Sequence, residues 1–289
     1  MKREIIVVGG GAGGLAAAIA AHKAGSDVLL IEREERLGGI LNQCIHNGFG
    51  LEIFKEEYTG PEYAEFYIKD FHELNIDFLL NTTVISLEKK DDEFVLMTSS
   101  LAEGIQTYTA KSVILTTGCY ERTRGSVLIP GDRPKGVITA GSAQRYLNID
   151  GYMVGKRVFI LGSGDIGLIM ARRMTLEGAE VLGVAELMPY SNGLTRNIVQ
   201  CLNDFDIPLY LSHTVTRVDA DSDNRLKSIV IQKVDDHFNP VEGSEITFEV
   251  DTLLLSIGLI PDTILLDKFD IEFDPKTKSA AINQACETG

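Results

Sequence analysis

Arg3-Glu-Ile-Ile-Val-Val-Gly-Gly-Gly-Ala-Gly-Gly-Leu-Ala-Ala-Ala-Ile-Ala-Ala-His-Lys-Ala-Gly-Ser-Asp-Val-Leu-Leu-Ile-Glu32 is the stretch on which the fold turns. Ile5 to Val8 is a short apolar run and reads as a buried parallel strand. Gly9, Gly11 and Gly14 then stand at the G-x-G-x-x-G spacing, with Ala12 and Gly13 between them, and an alanine-rich helix follows at once. The first glycine permits a tight strand-to-helix turn. The second lets a pyrophosphate approach the backbone, and the third lets helix and strand pack closely. The helix N-terminus adds free N–H groups and partial positive charge. Val28 to Ile31 makes a second strand, and Glu32 at its end is placed to accept hydrogen bonds from a ribose. Strand, glycine loop, helix and acid in this order predict a dinucleotide site.

The unit recurs. Arg157-Val-Phe-Ile-Leu161 is a strand, Gly162, Gly164 and Gly167 repeat the spacing around Asp165 and Ile166, and a helix runs on to Gly178. Two such units point to two nucleotide sites in one chain. One position is out of step: by strict counting Ala185 matches Glu32, and the acid, Glu186, comes one residue later. A one-residue slip in a strand turns a side chain to the opposite face, unless a local bulge restores its direction. Glu186 therefore serves a ribose only in the bulged case. No arginine follows closely to greet a 2′-phosphate, which favours NAD over NADP.

The rest of the chain fits a doubled α/β architecture. Pro61 opens a helix. Strands are expected at 76–80, 83–87, 94–98 and 105–109, and form a small antiparallel layer in the first domain. Ser112 to Gly118 is a buried strand ending Thr-Thr-Gly, and Asp251-Thr-Leu-Leu-Leu-Ser-Ile-Gly258 repeats that device. Strands at 215–218, 226–234 and 246–250 supply the second antiparallel layer. The fold class expected is α/β, with two Rossmann-like three-layer domains, the second inserted in the first. Residues 1–150 are assigned to the first domain, 151–270 to the second, and 271–289 to the start of a return to the first.

At 289 residues the chain is long enough for two domains with sizeable cores. Its 44% hydrophobic and 24% charged content is that of a globular protein. A net charge of −15 argues against non-specific binding to nucleic acid or to anionic membranes. No apolar run approaches the roughly 20 residues of a membrane span. The four cysteines, at 44, 119, 201 and 286, show neither C-x-x-C nor metal-ligand spacing, so no metal is expected and a reducing cytoplasm fits.

The Gly38-Gly39 pair after the ribose acid, followed by Ile40-Leu-Asn-Gln-Cys-Ile-His-Asn-Gly-Phe-Gly50, lets the chain turn back beside a long cofactor and shifts the first nucleotide from NAD to FAD. Together with Gly118-Cys-Tyr-Glu-Arg-Thr-Arg-Gly125, Ile129-Pro-Gly131, Thr139-Ala-Gly-Ser-Ala-Gln-Arg145 and Gly162-Ser-Gly-Asp-Ile-Gly-Leu168, these words resemble the two-dinucleotide-binding-domain flavoproteins of the pyridine nucleotide–disulfide oxidoreductase superfamily. They are most similar to a branch holding FAD subunits of hydrogen cyanide synthase and opine oxidases, and flavoproteins accompanying anaerobic glycerol-3-phosphate dehydrogenase. The resemblance implies that Gly9, Gly11, Ala12, Gly13, Gly14, Glu32, Arg33, Gly38 and Gly39 serve FAD, with Thr117, Gly118 and the backbone of Val84. It implies that Gly162, Gly164, Asp165, Ile166, Gly167, Glu186 and Gly258 serve a nicotinamide nucleotide.

Two departures qualify what is carried over. The redox-active cysteine pair of the disulfide reductases is missing, which leaves Cys44 as a packed thiol or a lone catalytic one, and the role of His46 open. The family also continues with a segment of the type T-x-x-P-G-I-F-A-x-G-D, and this chain stops at its threshold, so a longer protein is expected. The implied activity is FAD-dependent transfer of reducing equivalents between NAD(P)H and a second acceptor or partner subunit. The alternatives are the flavin subunit of an amine, opine or polyol dehydrogenase, and a non-catalytic nucleotide-binding subunit. A small-molecule redox substrate, a partner dehydrogenase subunit and an oligomeric assembly are expected; no catalytic side chain stands out.

Overall fold

The computed structural model describes residues 1–288 and divides into two compact units, one of residues 1–120 and 260–288, the other Glu121–Leu259. In the first, β1 (Lys2–Val8) leads through the glycine loop into α1 (Ala12–Lys23), and then to β2 (Val28–Ile31). A capping box starts α2 (Gly60–Glu73): the Thr59 hydroxyl accepts the Glu62 N–H, the Glu62 carboxylate accepts the Thr59 N–H, and Pro61 takes the first turn, where a missing N–H costs nothing. After it come β3 (Asp77–Leu79), β4 (Thr82–Lys90), β5 (Glu93–Ser100) and β6 (Gly104–Leu115). Their order in the sheet is β3-β2-β1-β6-β5-β4, parallel from β3 to β6 and antiparallel beyond.

The sequence reading splits β6 into two runs, but it is one 12-residue strand. Its first half pairs with β5 and its second half with β1, so the antiparallel strands are fused to the parallel sheet. They also cover it: Ile6, Val8, Leu29 and Ile31 share a core with Leu87, Leu96, Tyr108 and Ala110. On the other face Leu15, Ala18 and Ile19 of α1 and Phe71 of α2 bury Val7, Val28 and Leu30. Three layers result: helices, parallel sheet, antiparallel meander.

The second unit repeats the scheme. Its parallel sheet runs β7-β14-β8-β9-β10, from β7 (Val137–Thr139), β8 (Arg157–Leu161), β9 (Glu180–Glu186), β10 (Leu209–Leu211) and β14 (Thr252–Leu255). Helices α3 (Ala140–Asn148), α4 (Asp165–Leu176) and α5 (Thr195–Cys201) cover one face, around Val158, Ile160, Met170 and Leu254. The antiparallel strands β11 (His213–Ala220), β12 (Leu226–Lys233) and β13 (Ile246–Glu249) cover the other, around Phe159, Leu161, Ile229 and Leu253.

The chain changes unit at 120/121 and 259/260, earlier both times than the 150/151 and 270/271 of the sequence reading. Residues 121–150 belong with the second unit because β7 pairs with β14, and Ala140, Ala143 and Leu147 lie in its core. Residues 260–270 belong with the first because Leu265 and Phe269 pack on its meander, and Lys268 pairs with Glu88 at 2.5 Å. Among the described residues no helix is long and apolar enough to cross a membrane.

Candidate nucleotide sites

In the first unit the glycine loop is shaped by contacts that only hydrogen side chains allow. Gly9 has φ 105°, and a Cβ there would run into the Thr116 carbonyl. A Cβ on Gly14 would strike the carbonyl of Gly9, and would stand 2.8 Å from Thr116 Oγ1. Gly11 differs: its nearest neighbour is the Gly39 Cα at 3.9 Å, so the space in front of it is open. No side chain caps α1 and no acid stands in its first turn, while Ala12 and Gly13 are exposed. An open glycine beside an uncapped helix N-terminus suits a pyrophosphate.

Glu32 is 5% exposed, at the end of β2. Its Oε2 accepts the Gly10 N–H at 2.5 Å, and its Oε1 accepts the Glu34 N–H at 2.8 Å. Each oxygen keeps a lone pair, so the carboxylate is held still and remains able to accept from a ribose. Gly38 and Gly39 close the loop from the other side. Both have positive φ, 104° and 54°; the Gly38 N–H donates to Gly10 O at 2.8 Å, and a Cβ on Gly39 would come within 2.9 Å of Gly11 Cα. The double glycine therefore docks on the dinucleotide loop.

Of the other residues singled out, Thr117 donates its hydroxyl to Asp262 O at 2.8 Å, and the Gly118 carbonyl accepts from Asp262 N–H at 2.9 Å. Val84 lies on β4, two residues after Thr82, whose N–H donates to the Glu32 carbonyl at 3.0 Å. Arg33 is exposed, 4.0 Å from Glu34. The sequence reading passed over two residues that matter to this loop. Thr116 donates its hydroxyl to Val8 O and Gly9 O, both at 2.9 Å, and so pins the turn. Gly10 leaves room for Glu32, whose Oε2 would lie 3.0 Å from a Cβ placed there. Gly10 carries a local signal, as the middle of three consecutive glycines; Thr116 carries none.

Cys44 is not poised as a nucleophile. Burial pushes its thiol up to about 11, the reverse of an activated cysteine. No disulfide joins any of the four cysteines. His46 bonds only locally, Nδ1 to Asn47 O at 3.0 Å, with its ring 5.4 Å from that of Phe49. Among the described residues no cluster of His, Cys, Asp or Glu is arranged to hold a metal.

The second unit repeats the bond pattern. Gly162 has φ 101° and abuts the Ser256 carbonyl, and a Cβ on Gly167 would strike the Gly162 carbonyl and lie 3.0 Å from Ser256 Cβ. Gly164, like Gly11, faces open space, with Ser256 Oγ 3.9 Å away. Glu186 is 6% exposed; its Oε2 accepts Ser163 N–H at 2.9 Å and its Oε1 accepts Met188 N–H at 3.0 Å. These are the counterparts of Gly10 and Glu34 around Glu32. The offset noted in the sequence is absorbed by a bulge: Val158 pairs with Val181, but Phe159 pairs with Gly183, so Leu182 is skipped. Gly162 N–H then donates to Ala185 O at 2.7 Å, as Gly9 N–H does to Ile31 O at 2.9 Å, and Glu186 stands where Glu32 does.

Ser163 in place of Gly10 adds a bond, its hydroxyl reaching Glu186 Oε2 at 2.6 Å. Asp165 Oδ1 accepts from Leu194 N–H at 2.8 Å and Asn197 Nδ2 at 2.7 Å, tying the segment after β9 to the start of α4. A cavity of about 1000 Å³ opens here, with Gly162, Gly164, Asp165, Ile166, Glu186 and Gly258 in its wall. Two of the quoted sequence words interlock beside it: the Glu121 carboxylate accepts Gly141 N–H at 2.7 Å and Ser142 N–H at 3.2 Å, capping α3. Arg124, from the same word as Glu121, donates to the carbonyls of Ile129, Pro130 and Gly131 in the next.

Comparison with known proteins agrees with this geometry. The chain is 27% identical to the hydrogen cyanide synthase subunit HcnB of Pseudomonas protegens, over 94% of its own length and 60% of that protein's. It is 26% identical to sarcosine oxidase subunit alpha of Corynebacterium sp., over 89% of its length and 26% of that chain. It therefore spans less than two thirds of each of these two relatives. A dihydrolipoyl dehydrogenase of Acholeplasma laidlawii is 27% identical over 94% of this chain and 82% of that one. The thioredoxin reductase of T. acidophilum has the same fold, with a TM-score of 0.79 over 99% of this chain and 86% of that one, at 23% identity. A family model described as pyridine nucleotide-disulphide oxidoreductase matches residues 3–289, and the chain belongs to that family of flavoprotein oxidoreductases.

Proposed function

We propose that the first unit holds FAD, that the second holds NADH, and that the protein passes reducing equivalents between the nicotinamide nucleotide and a second acceptor or partner subunit. The observation that carries this reading is the duplicated bond pattern: a buried glutamate held by two backbone N–H groups beside an open glycine, once at Glu32 and Gly11 and again at Glu186 and Gly164. FAD, when bound, supplies a two-electron carrier between nicotinamide and acceptor.

The chain's own part is positioning. Gly11 and the N-terminus of α1 take the pyrophosphate, Glu32 orients the ribose, and Gly38 and Gly39 let the chain run close to the cofactor. Ala12 and Gly13 lend N–H groups; Arg33, Val84, Thr117 and Gly118 flank the remainder. In the second unit Gly162, Gly164, Asp165, Ile166 and Gly167 do the same for NADH, with Glu186 on its ribose and Gly258 in the wall of the same cavity. The run Leu187-Met-Pro-Tyr-Ser-Asn-Gly193 offers no basic group to a 2′-phosphate, which supports NADH over NADPH. Hydride transfer depends on placing two rings more than on a protein acid or base, in keeping with the absence of an activated thiol at Cys44.

Relatives named as subunits of hydrogen cyanide synthase, sarcosine oxidase and opine oxidase support a partner subunit as the acceptor or as the source of electrons. The test is an anaerobic titration of the flavin-loaded protein with NADH. Loss of the flavin's visible absorbance is expected. Flavin that stays oxidised under excess NADH would instead favour a subunit reduced by its own substrate, with a structural nucleotide in the second unit.

A further inference from the structure

The second-unit cavity extends beyond what its glycine loop accounts for. Phe238 and Pro240, from the turn that follows β12, share its wall with Glu186, Leu187 and Met188. Backbone bonds fix that turn beside the end of β9. Ser212 N–H donates to Met188 O at 3.0 Å, Val234 N–H donates to Ser212 O at 2.8 Å, and Val234 bridges Pro240. Only one intervening segment thus separates Met188, two residues past the acid, from the turn that carries Phe238.

The turn is closely tied. Phe238 N–H donates to Asp235 O at 2.9 Å, and Asp235 N–H to Asn239 O at 3.0 Å. Asp235 Oδ1 accepts from His237 N–H at 2.9 Å and Asn239 N–H at 2.8 Å. On this frame Phe238 sits at φ 63°, a left-handed conformation that costs a bulky side chain free energy, and its surface is 50% exposed. The turn thus presents a half-exposed ring to the cavity. The cavity's charged residues are Glu121, Asp165 and Glu186 against Arg122, a balance unfavourable to an extra phosphate near the acid.

We propose that Phe238 is the adenine platform of the second nucleotide site, selecting an adenine dinucleotide whose ribose 2′-hydroxyl is free. This rests on the nucleotide reading above: the acid ending the second strand marks the adenosine ribose, so the base lies beyond it, on the Met188 side. There Phe238 offers a flat apolar face, and Leu187 and Met188 line the same cavity.

The test is calorimetric binding of NADH and ADP to the full chain, in wild type, Phe238→Gly and Phe238→Tyr. Glycine removes the ring and suits φ 63°, so the turn persists and the variant melts no lower than wild type. Phe238→Gly is expected to weaken both ligands roughly tenfold, as loss of a base-stacking ring does elsewhere, and to leave FAD content unchanged; Phe238→Tyr restores both affinities. Wild-type affinity for ADP in Phe238→Gly overturns the platform alone. So does a loss accompanied by lowered melting, since the ring would then be supporting the turn. Wild-type protein that binds neither NADH nor ADP overturns the nucleotide reading and the platform with it.

Discussion

Individual glycines in the two loops have separable duties, and single substitutions distinguish them. Gly11 faces open space, so Gly11→Val should melt like wild type yet retain no FAD through dialysis, because its side chain fills the place of the pyrophosphate. Gly14→Ala forces a methyl against the Gly9 carbonyl and Thr116, and should lower stability by roughly 1–3 kcal/mol, read by denaturant titration. Cys44 makes the opposite point. Its thiol is held up to about 11 by burial, so it is neutral at pH 7 and ionises only as pH rises towards that value. Iodoacetamide should label it slowly at pH 7 and faster with rising pH, and Cys44→Ser should keep NADH-dependent flavin reduction; rapid labelling at neutral pH would revive a catalytic thiol. The sequence displays the glycines openly, since their spacing is a local rule. Thr116 was hidden because its value comes from the carbonyls of Val8 and Gly9, more than a hundred residues away in sequence.

At the scale of elements, the bulge in β9 decides whether the second acid can serve a ribose. Leu182 is the residue left over when Val158 and Phe159 pair with Val181 and Gly183. Deleting Leu182 should therefore keep the register, cost about 1 kcal/mol of partly buried apolar contact, and preserve NADH affinity. Deleting Val184 as well removes one residue more than the bulge can supply and reverses the direction of Glu186, so NADH affinity should collapse; equal effects of the single and double deletions, measured by calorimetry, would contradict the bulge. The doubled strand-loop-helix pattern was legible because both copies obey the same spacing. The bulge was not, since nothing local distinguishes an extra residue from a slip: only the pairing partners in β8 reveal it. The fused strand β6 was missed for a related reason. Its polar middle, Thr109-Ala-Lys-Ser112, reads as a break, yet two different neighbours pair with its two halves.

Across the whole molecule, the same three-layer plan is built twice, and the chain enters and leaves the second unit at positions without a clear compositional mark. Gly151 and its neighbours look like a linker, but Glu121 caps α3 and β7 joins the second sheet, so the unit begins some thirty residues sooner. Long-range bonds of this kind leave little trace in sequence, whereas two nucleotide loops leave a plain one. The central claim is that each unit carries its own nucleotide site, one for FAD and one for NADH. Flavin content and NADH affinity of Gly164→Val, measured on one preparation, test it directly. Full flavin with NADH binding weakened beyond detection is the result predicted; loss of flavin with NADH binding intact would contradict the assignment of the two loops.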